Sequence, residues 1–164
     1  MTSVLSYGAK SSNRLKETSL EGVEGARSAL ETFYYALNNR DAANLEAVWG
    51  ATPSVVLYNP LGGVVRGRGA IAGLYRRLFE SGRALEVSFG DVIEFSAPDH
   101  AIFVGRETGS YLAPDGTRVP LYIRTSRYFL REEGAWRQYH HHGSIDDPEA
   151  LVAYQAAVIG QGPF

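Results

Sequence analysis

From Leu85 to Ser144 the chain consists almost entirely of alternating apolar and polar residues. Leu85, Val87, Phe89, Ile93 and Phe95 alternate with Glu86, Ser88 and Glu94, the period-two pattern of a long strand with one buried face. Gly90 marks a bend within it. Ala101 to Leu112, Arg118 to Arg131 and Trp136 to Ser144 supply three more strands, joined by turn signals at Ala113-Pro114-Asp115-Gly116 and Glu133-Gly134. A meander of this length has a wide apolar face, and something must cover it. The residues ahead of it have helical spacing. Ala26, Leu30, Phe33 and Leu37 form one amphipathic run, broken at Asn38-Asn39-Arg40-Asp41. Leu45, Val48 and Trp49 form a second, with Asp41 as its cap. Ile71, Leu74, Tyr75 and Leu78 form a third, ending near Ser81-Gly82. Ser54 to Tyr58 is a short strand between them, and a last helix opens with Asp147 as N-cap and Pro148 in its first turn. The pattern predicts an α+β cone in which the N-terminal helices close one face of a strongly curved, mainly antiparallel sheet and leave a blind pocket.

With 164 residues, 45% of them hydrophobic, the chain has enough apolar material for one core, so residues 23–164 are expected to form a single domain. Residues 1–22, rich in Ser, Lys, Asn and Gly, read as a flexible arm able to dock on a partner subunit. The net charge of −2 is spread along the chain, which argues against a nucleic-acid partner. No segment has the apolar length of a signal peptide or membrane span, so a cytoplasmic protein without a membrane partner is expected. The absence of cysteine excludes disulfides, thiolate zinc sites and a Cys nucleophile. No G-x-S-x-G elbow is present either.

Turn lengths decide which side chains share a face. A two-residue turn at Glu133-Gly134 pairs Glu132 with Ala135 and carries Arg127 opposite His140, and Thr125 opposite His142. A two-residue loop after Leu112 places Glu107 on the Arg124 face, whereas one extra residue places it on the Arg127 face, which is the arrangement expected here. If the strand keeps its register through Gly90, Asp91 falls on its apolar face, where burial raises a carboxyl pKa as a general base requires; a bend at Gly90 turns it to water instead. The expected site therefore has Asp91, Glu107 and His140 as catalytic candidates, with Trp49, Tyr58, Arg127 and His142 contacting a ligand. A guanidinium, an imidazole and a carboxylate together can hold a polar ligand or move a proton from a carbon acid. The competing structural reading is an ion pair bracing a curved sheet, with Trp49, Tyr58 and Tyr75 filling the core as large aromatics usually do. His140 and His142 point the same way along a strand, but no third ligand is in view, so no metal is expected. Arg66-Gly67-Arg68-Gly69 lacks the Lys-Ser/Thr of a phosphate loop and reads as a turn into the third helix. Gly105 and Gly109, flanking Glu107, either make room for a ligand or let the sheet twist.

Several of these segments are similar to one family. The element order, Ala36-Leu37-Asn38-Asn39-Arg40-Asp41 before a Trp-ended helix, Tyr58-Asn59-Pro60 before Arg66-Gly67, and Trp136-Arg137-Gln138-Tyr139-His140-His141-His142-Gly143-Ser144 resemble the nuclear transport factor 2 (NTF2)-like superfamily. Within it they resemble the SnoaL-like group that includes the association (hub) domain of calcium/calmodulin-dependent protein kinase. The resemblance runs from about Val23 to Ser144. Its most specific part is Ser126-Arg127, then Trp136, then His140, His142 and Ser144 at the hub spacing. It implies a cystatin-like cone, a homodimer formed through the sheets or a higher oligomer, and Arg127 as a pocket arginine. The hub's second pocket arginine falls on Glu107 and its helical histidine near Ile71, so capture of carboxylates by the hub's route is not carried over. The superfamily also contains ketosteroid isomerases, polyketide cyclases and dehydratases, which use a pocket Asp, His or Tyr. The function expected is binding of a small organic ligand without a cofactor. The alternatives are an isomerase, cyclase or dehydratase that abstracts a proton next to a carbonyl, and a dimeric assembly domain with no ligand.

Overall fold

A computed structural model describes residues 5–82 and 85–159. The helices are α1 (Gly22–Asn39), α2 (Ala42–Ala47), α3 (Arg68–Glu80) and α4 (Pro148–Ile159). The strands are β1 (Val56–Tyr58), β2 (Val64–Arg66), β3 (Glu86–Ser96), β4 (His100–Leu112), β5 (Arg118–Glu132) and β6 (Ala135–Ser144). They form one sheet in the order β2-β1-β6-β5-β4-β3. All neighbours are antiparallel except β1 and β6, which run parallel. The α+β cone expected from the sequence is the observed fold. The strand β2 was not expected. Val64–Arg66, of which only Arg66 belonged to the expected turn Arg66-Gly67-Arg68-Gly69, pairs with β1 and then leads through Gly67 into α3.

Local chemistry sets the helix ends. Asp41 accepts a hydrogen bond from the Asn44 backbone N–H at 3.0 Å and starts α2. Asp147 accepts from Glu149 and Ala150 N–H at 2.9 and 3.1 Å and starts α4. The buried side of α1, with Ala26, Ala29, Leu30, Phe33, Tyr34 and Leu37, lies on the inward residues of the sheet, among them Val87, Phe89, Phe103, Phe129 and Trp136. A second apolar cluster joins Tyr154, Ala157 and Val158 of α4 to Tyr111, Leu121 and Ile123.

Backbone approach between β3 and β4 accompanies the sheet's curvature. A Cβ on Gly109 would lie 1.9 Å from the Glu86 carbonyl oxygen, and one on Gly105 would lie 2.6 Å from that of Gly90. Glycine at these positions, on either side of Glu107, lets β3 ride close over β4. The bend expected at Gly90 is a bulge between Gly90 and Ile93.

The N-terminal segment differs from the flexible arm expected. Met1–Val4 lie outside the described residues, but from Leu5 onward the chain packs on its own body. Tyr7 exchanges backbone hydrogen bonds with Phe89 at 2.9 and 2.7 Å and lies stacked over Tyr34, with ring centroids 6.2 Å apart. Arg14 joins Glu17, Glu24 and Glu31. A polar composition hid one buried aromatic and one arginine with three acidic partners. No helix among the described residues is long and apolar enough to cross a membrane.

Candidate functional site

The connection between β4 and β5 runs from Ala113 to Thr117, closed by Ala113 N–H to Thr117 O at 2.8 Å, with Leu112 opposite Arg118. This odd-length loop brings Glu107 onto the inward face shared by Thr125 and Arg127, as the reading with an extra residue anticipates. The β5–β6 hairpin starts in the expected register and pairs Phe129 with Gln138. Tyr139 then bulges, so Tyr128 pairs with His140 and Arg127 with His141. The slip reverses the parity of everything beyond it.

This bulge corrects three expectations. His140 and His142 point away from the interior, to the outer face of the sheet. Tyr58, which pairs with His142 on β1, points outward with them and is 37% exposed. The Tyr58 ring meets His140 and His142 edge-on at centroid distances of 4.9 and 5.4 Å, and His140 Nδ1 is 3.1 Å from the Val56 carbonyl oxygen. The parallel partner β1 accommodates this register, because the inward Leu57 lies beside His141. Asp91 is also displaced. It occupies the left-handed position of the β3 bulge, with φ of 51°, and its side chain is exposed. Trp49 is fully buried in the main core, away from the cavity described below.

Two expected residues, Glu107 and Arg127, do meet inside the cone. Arg127 Nη2 donates to Glu107 Oε1 at 2.8 Å, Nε donates to the Tyr34 hydroxyl at 3.0 Å, and Nη1 donates to Gln138 Oε1 at 2.8 Å. Tyr34 donates to Glu107 Oε1 at 2.6 Å, and Thr125 donates to Oε2 at 2.9 Å. The guanidinium carbon also lies 3.9 Å from the Phe33 ring centroid, a cation–π contact. Burial opposes the Arg127 charge, but Tyr34 and Glu107 outweigh it and raise its pKa, so the group stays protonated. Burial likewise lifts the Tyr34 phenol well above its usual value.

Beside this network is a cavity of about 80 Å³. Glu107, Arg127 and His141 line it together with Asn59, Tyr75 and Tyr154, and residues such as Leu57, Leu74, Val87, Leu121 and Ile123 form its apolar walls. Tyr154 and Val158 bring α4 across it. His141 is 4% exposed, and neither ring nitrogen has a hydrogen-bond partner among the described residues. Burial first, then the nearby Arg127 charge, holds its pKa well below the usual imidazole value, so the ring is neutral at pH 7. A neutral imidazole offers one N–H donor and one nitrogen acceptor. The site can thus offer a hydrogen-bond donor or an acceptor to a polar group. Among the described residues, no group of three or more His, Cys, Asp or Glu is placed to bind a metal ion.

His141, Tyr34 and Gln138 escape the sequence reading. Tyr34 follows Phe33 inside the expected helix and looks like ordinary core. The run of three histidines does signal that one of them faces inward, and the turn register then selects the wrong one.

A cone of this kind, with helices against a curved sheet and a polar network inside it, is the NTF2-like or cystatin-like class. The chain belongs to the SnoaL-like domain family, whose model matches residues 26–148. Among solved structures it is similar to a protein of Thiobacillus denitrificans assigned as a calcium/calmodulin-dependent protein kinase type II association domain. That match has 26% identity over 74% of this chain and 94% of the other, with a TM-score of 0.60. It is also similar to a protein of Streptomyces avermitilis assigned as a dehydratase of the NTF2-like family, at 23% identity over 74% and 94% of the two chains and a TM-score of 0.66. A third, an uncharacterised protein of Caulobacter vibrioides with a cystatin-like fold, matches at 21% identity over 80% and 94%, with a TM-score of 0.64. No curated protein matches the chain.

Proposed function

We propose that the cavity inside the cone is a binding site for a small organic molecule, with His141 as its polar contact. The observation that carries this reading is the burial of His141 at the cavity wall with both ring nitrogens unpartnered among the described residues. A buried polar group without a partner costs about 1–3 kcal/mol, so a site that keeps one is poised for a ligand. Arg127 and Glu107 serve as the fixed floor of the site, and the apolar walls take the body of the ligand. His141 takes over the role expected of His140, whereas Asp91, Trp49, Tyr58 and His142 have no part in it.

A second reading is proton abstraction next to a carbonyl, with the unprotonated imidazole of His141 as base, a base weakened by its low pKa, and an Arg127 N–H steadying the enolate oxygen. The two readings separate in one experiment. The His141 ring resonances are followed while cyclic ketones, alcohols and carboxylates are added, and α-deuterium exchange of any bound ketone is measured in parallel. Binding predicts shifts at His141 that disappear in His141→Leu. The enzyme reading predicts exchange that is lost in the same variant. No shift with any compound would leave an assembly domain without a ligand.

We also propose that the outer sheet face pairs with a second copy of the chain within one domain spanning residues 23–164. Ile93 and Phe95 are 58 and 60% exposed on that face, beside Val104 and Ile102 of β4, an apolar patch of the kind that marks an interface. The likeness to an association domain supports this.

A further inference from the structure

We infer that the cavity selects neutral molecules bearing one hydroxyl on a single ring, and that it rejects carboxylates and amines. The inference rests on the binding reading above and adds the chemical class of ligand. It starts from a charge count at the cavity wall. Arg127 and Glu107 cancel each other at 2.8 Å, and His141 is neutral, so the wall carries no net charge.

A carboxylate entering this space needs a cation. Among the described residues lining the cavity, Arg127 is the one permanent cation; three of its five N–H groups donate to Tyr34, Gln138 and Glu107, and its charge is already matched by Glu107, so a ligand carboxylate would be a second buried anion on one guanidinium. Turning it toward a ligand would strand the Glu107 carboxylate, which is 4% exposed. The remaining route is to protonate His141, but that places a second buried cation beside Arg127. An ammonium group finds no free counter-charge among the described lining residues either, because Glu107 is already paired with Arg127. Neutral ligands carry none of these penalties.

The hydroxyl follows from His141. Whichever nitrogen carries the proton, the ring presents a donor on one side and an acceptor on the other, and a hydroxyl can answer either one. A ketone oxygen answers the donor alone. Size limits the rest. At about 80 Å³ the space is smaller than the ~150 Å³ of a dry cavity that admits benzene. One ring therefore enters only as α4 yields at Tyr154 and Val158, and a fused polycycle would have to displace that helix.

Calorimetry and His141 ring resonances on the full chain with phenol, toluene and benzoate at pH 7 test this. Phenol is expected to bind about tenfold more tightly than toluene, the worth of one hydrogen bond. Benzoate is expected to bind more weakly than either. The phenol affinity should be flat between pH 6 and 8, because neither partner titrates there, and in His141→Leu phenol should fall to the level of toluene. If benzoate binds best, or binds with proton uptake, the ligand class is wrong while the binding site stands. Equal affinity for phenol and toluene in the unmodified chain also overturns the class. Should none of the three bind, the binding reading fails together with it.

Discussion

Arg127 and His141 lie directly opposite each other across the β5–β6 ladder, one with three hydrogen-bond partners and the other with none among the described residues. The guanidinium is held by Tyr34, Gln138 and Glu107, and its charge helps burial to keep the imidazole neutral. A cation already paired with a carboxylate, beside a neutral base with no hydrogen bond among the described residues, makes the interior of the cone chemically asymmetric. Rigidity comes from the first residue, and capacity for a guest comes from the second.

Removing one member of the Arg127–Glu107 pair should be far more damaging than removing both. Arg127→Met alone strands a buried carboxylate and is expected to cost about 3–5 kcal/mol. Adding Glu107→Leu should restore a large part of that loss. Urea unfolding of both single variants and the double variant measures the coupling directly. Equal losses in the single and double variants would show that the pair does not act as a unit.

Acid should destabilise the protein through His141. Its folded pKa lies well below the unfolded value of about 6.5. In the window between them the unfolded chain binds more protons than the folded one. This contribution is therefore complete above about pH 6.5 and is lost as the pH falls below it. Urea midpoints at pH 7, 6 and 5 should decline more steeply for the unmodified protein than for His141→Gln. Parallel slopes would mean that the imidazole is accessible to protons in the folded state.

Gly109 and Gly90 should respond in opposite ways to a methyl group. At Gly109 the new Cβ meets the Glu86 carbonyl oxygen, and Gly109→Ala is expected to destabilise by about 1–3 kcal/mol. Nothing lies within 4 Å of a Cβ at Gly90, so Gly90→Ala should stay within about 0.5 kcal/mol of the parent. Thermal unfolding of the two variants checks the pair. A tolerated Gly109→Ala would mean that β3 does not ride as close over β4 as described.

Self-association should depend on the outer sheet face. Phe95→Lys, at a side chain that is 60% exposed, should leave the fold intact and weaken the dimer by about tenfold or more in sedimentation velocity. A parent protein that remains monomeric at high micromolar concentration would remove the basis for that interface.

Much of the architecture is local in origin and could be read from the chain. The alternation from Leu85 to Phe95, the helical spacing of Ala26, Leu30, Phe33 and Leu37, and the caps at Asp41 and Asp147 all lie within a few residues of the structure they specify. Glu107 also fell on the correct face, because its parity depends on the length of one loop.

His141, Asp91 and Tyr7 were decided by contacts far along the chain. A strand has a side-chain period of two, so a single extra residue reverses which side faces inward. The turn at Glu133-Gly134 sets that parity correctly as far as Gln138, and the bulge at Tyr139 undoes it where β6 gains its parallel neighbour β1. Asp91 is turned outward by the bulge where β3 bends over β4. Tyr7 is held by Phe89 and Tyr34, neither of them near it in sequence. Spacing along the chain determined the elements and the inward position of Arg127. Pairing between distant strands determined which histidine joins it, because only the assembled sheet fixes where an extra residue is absorbed.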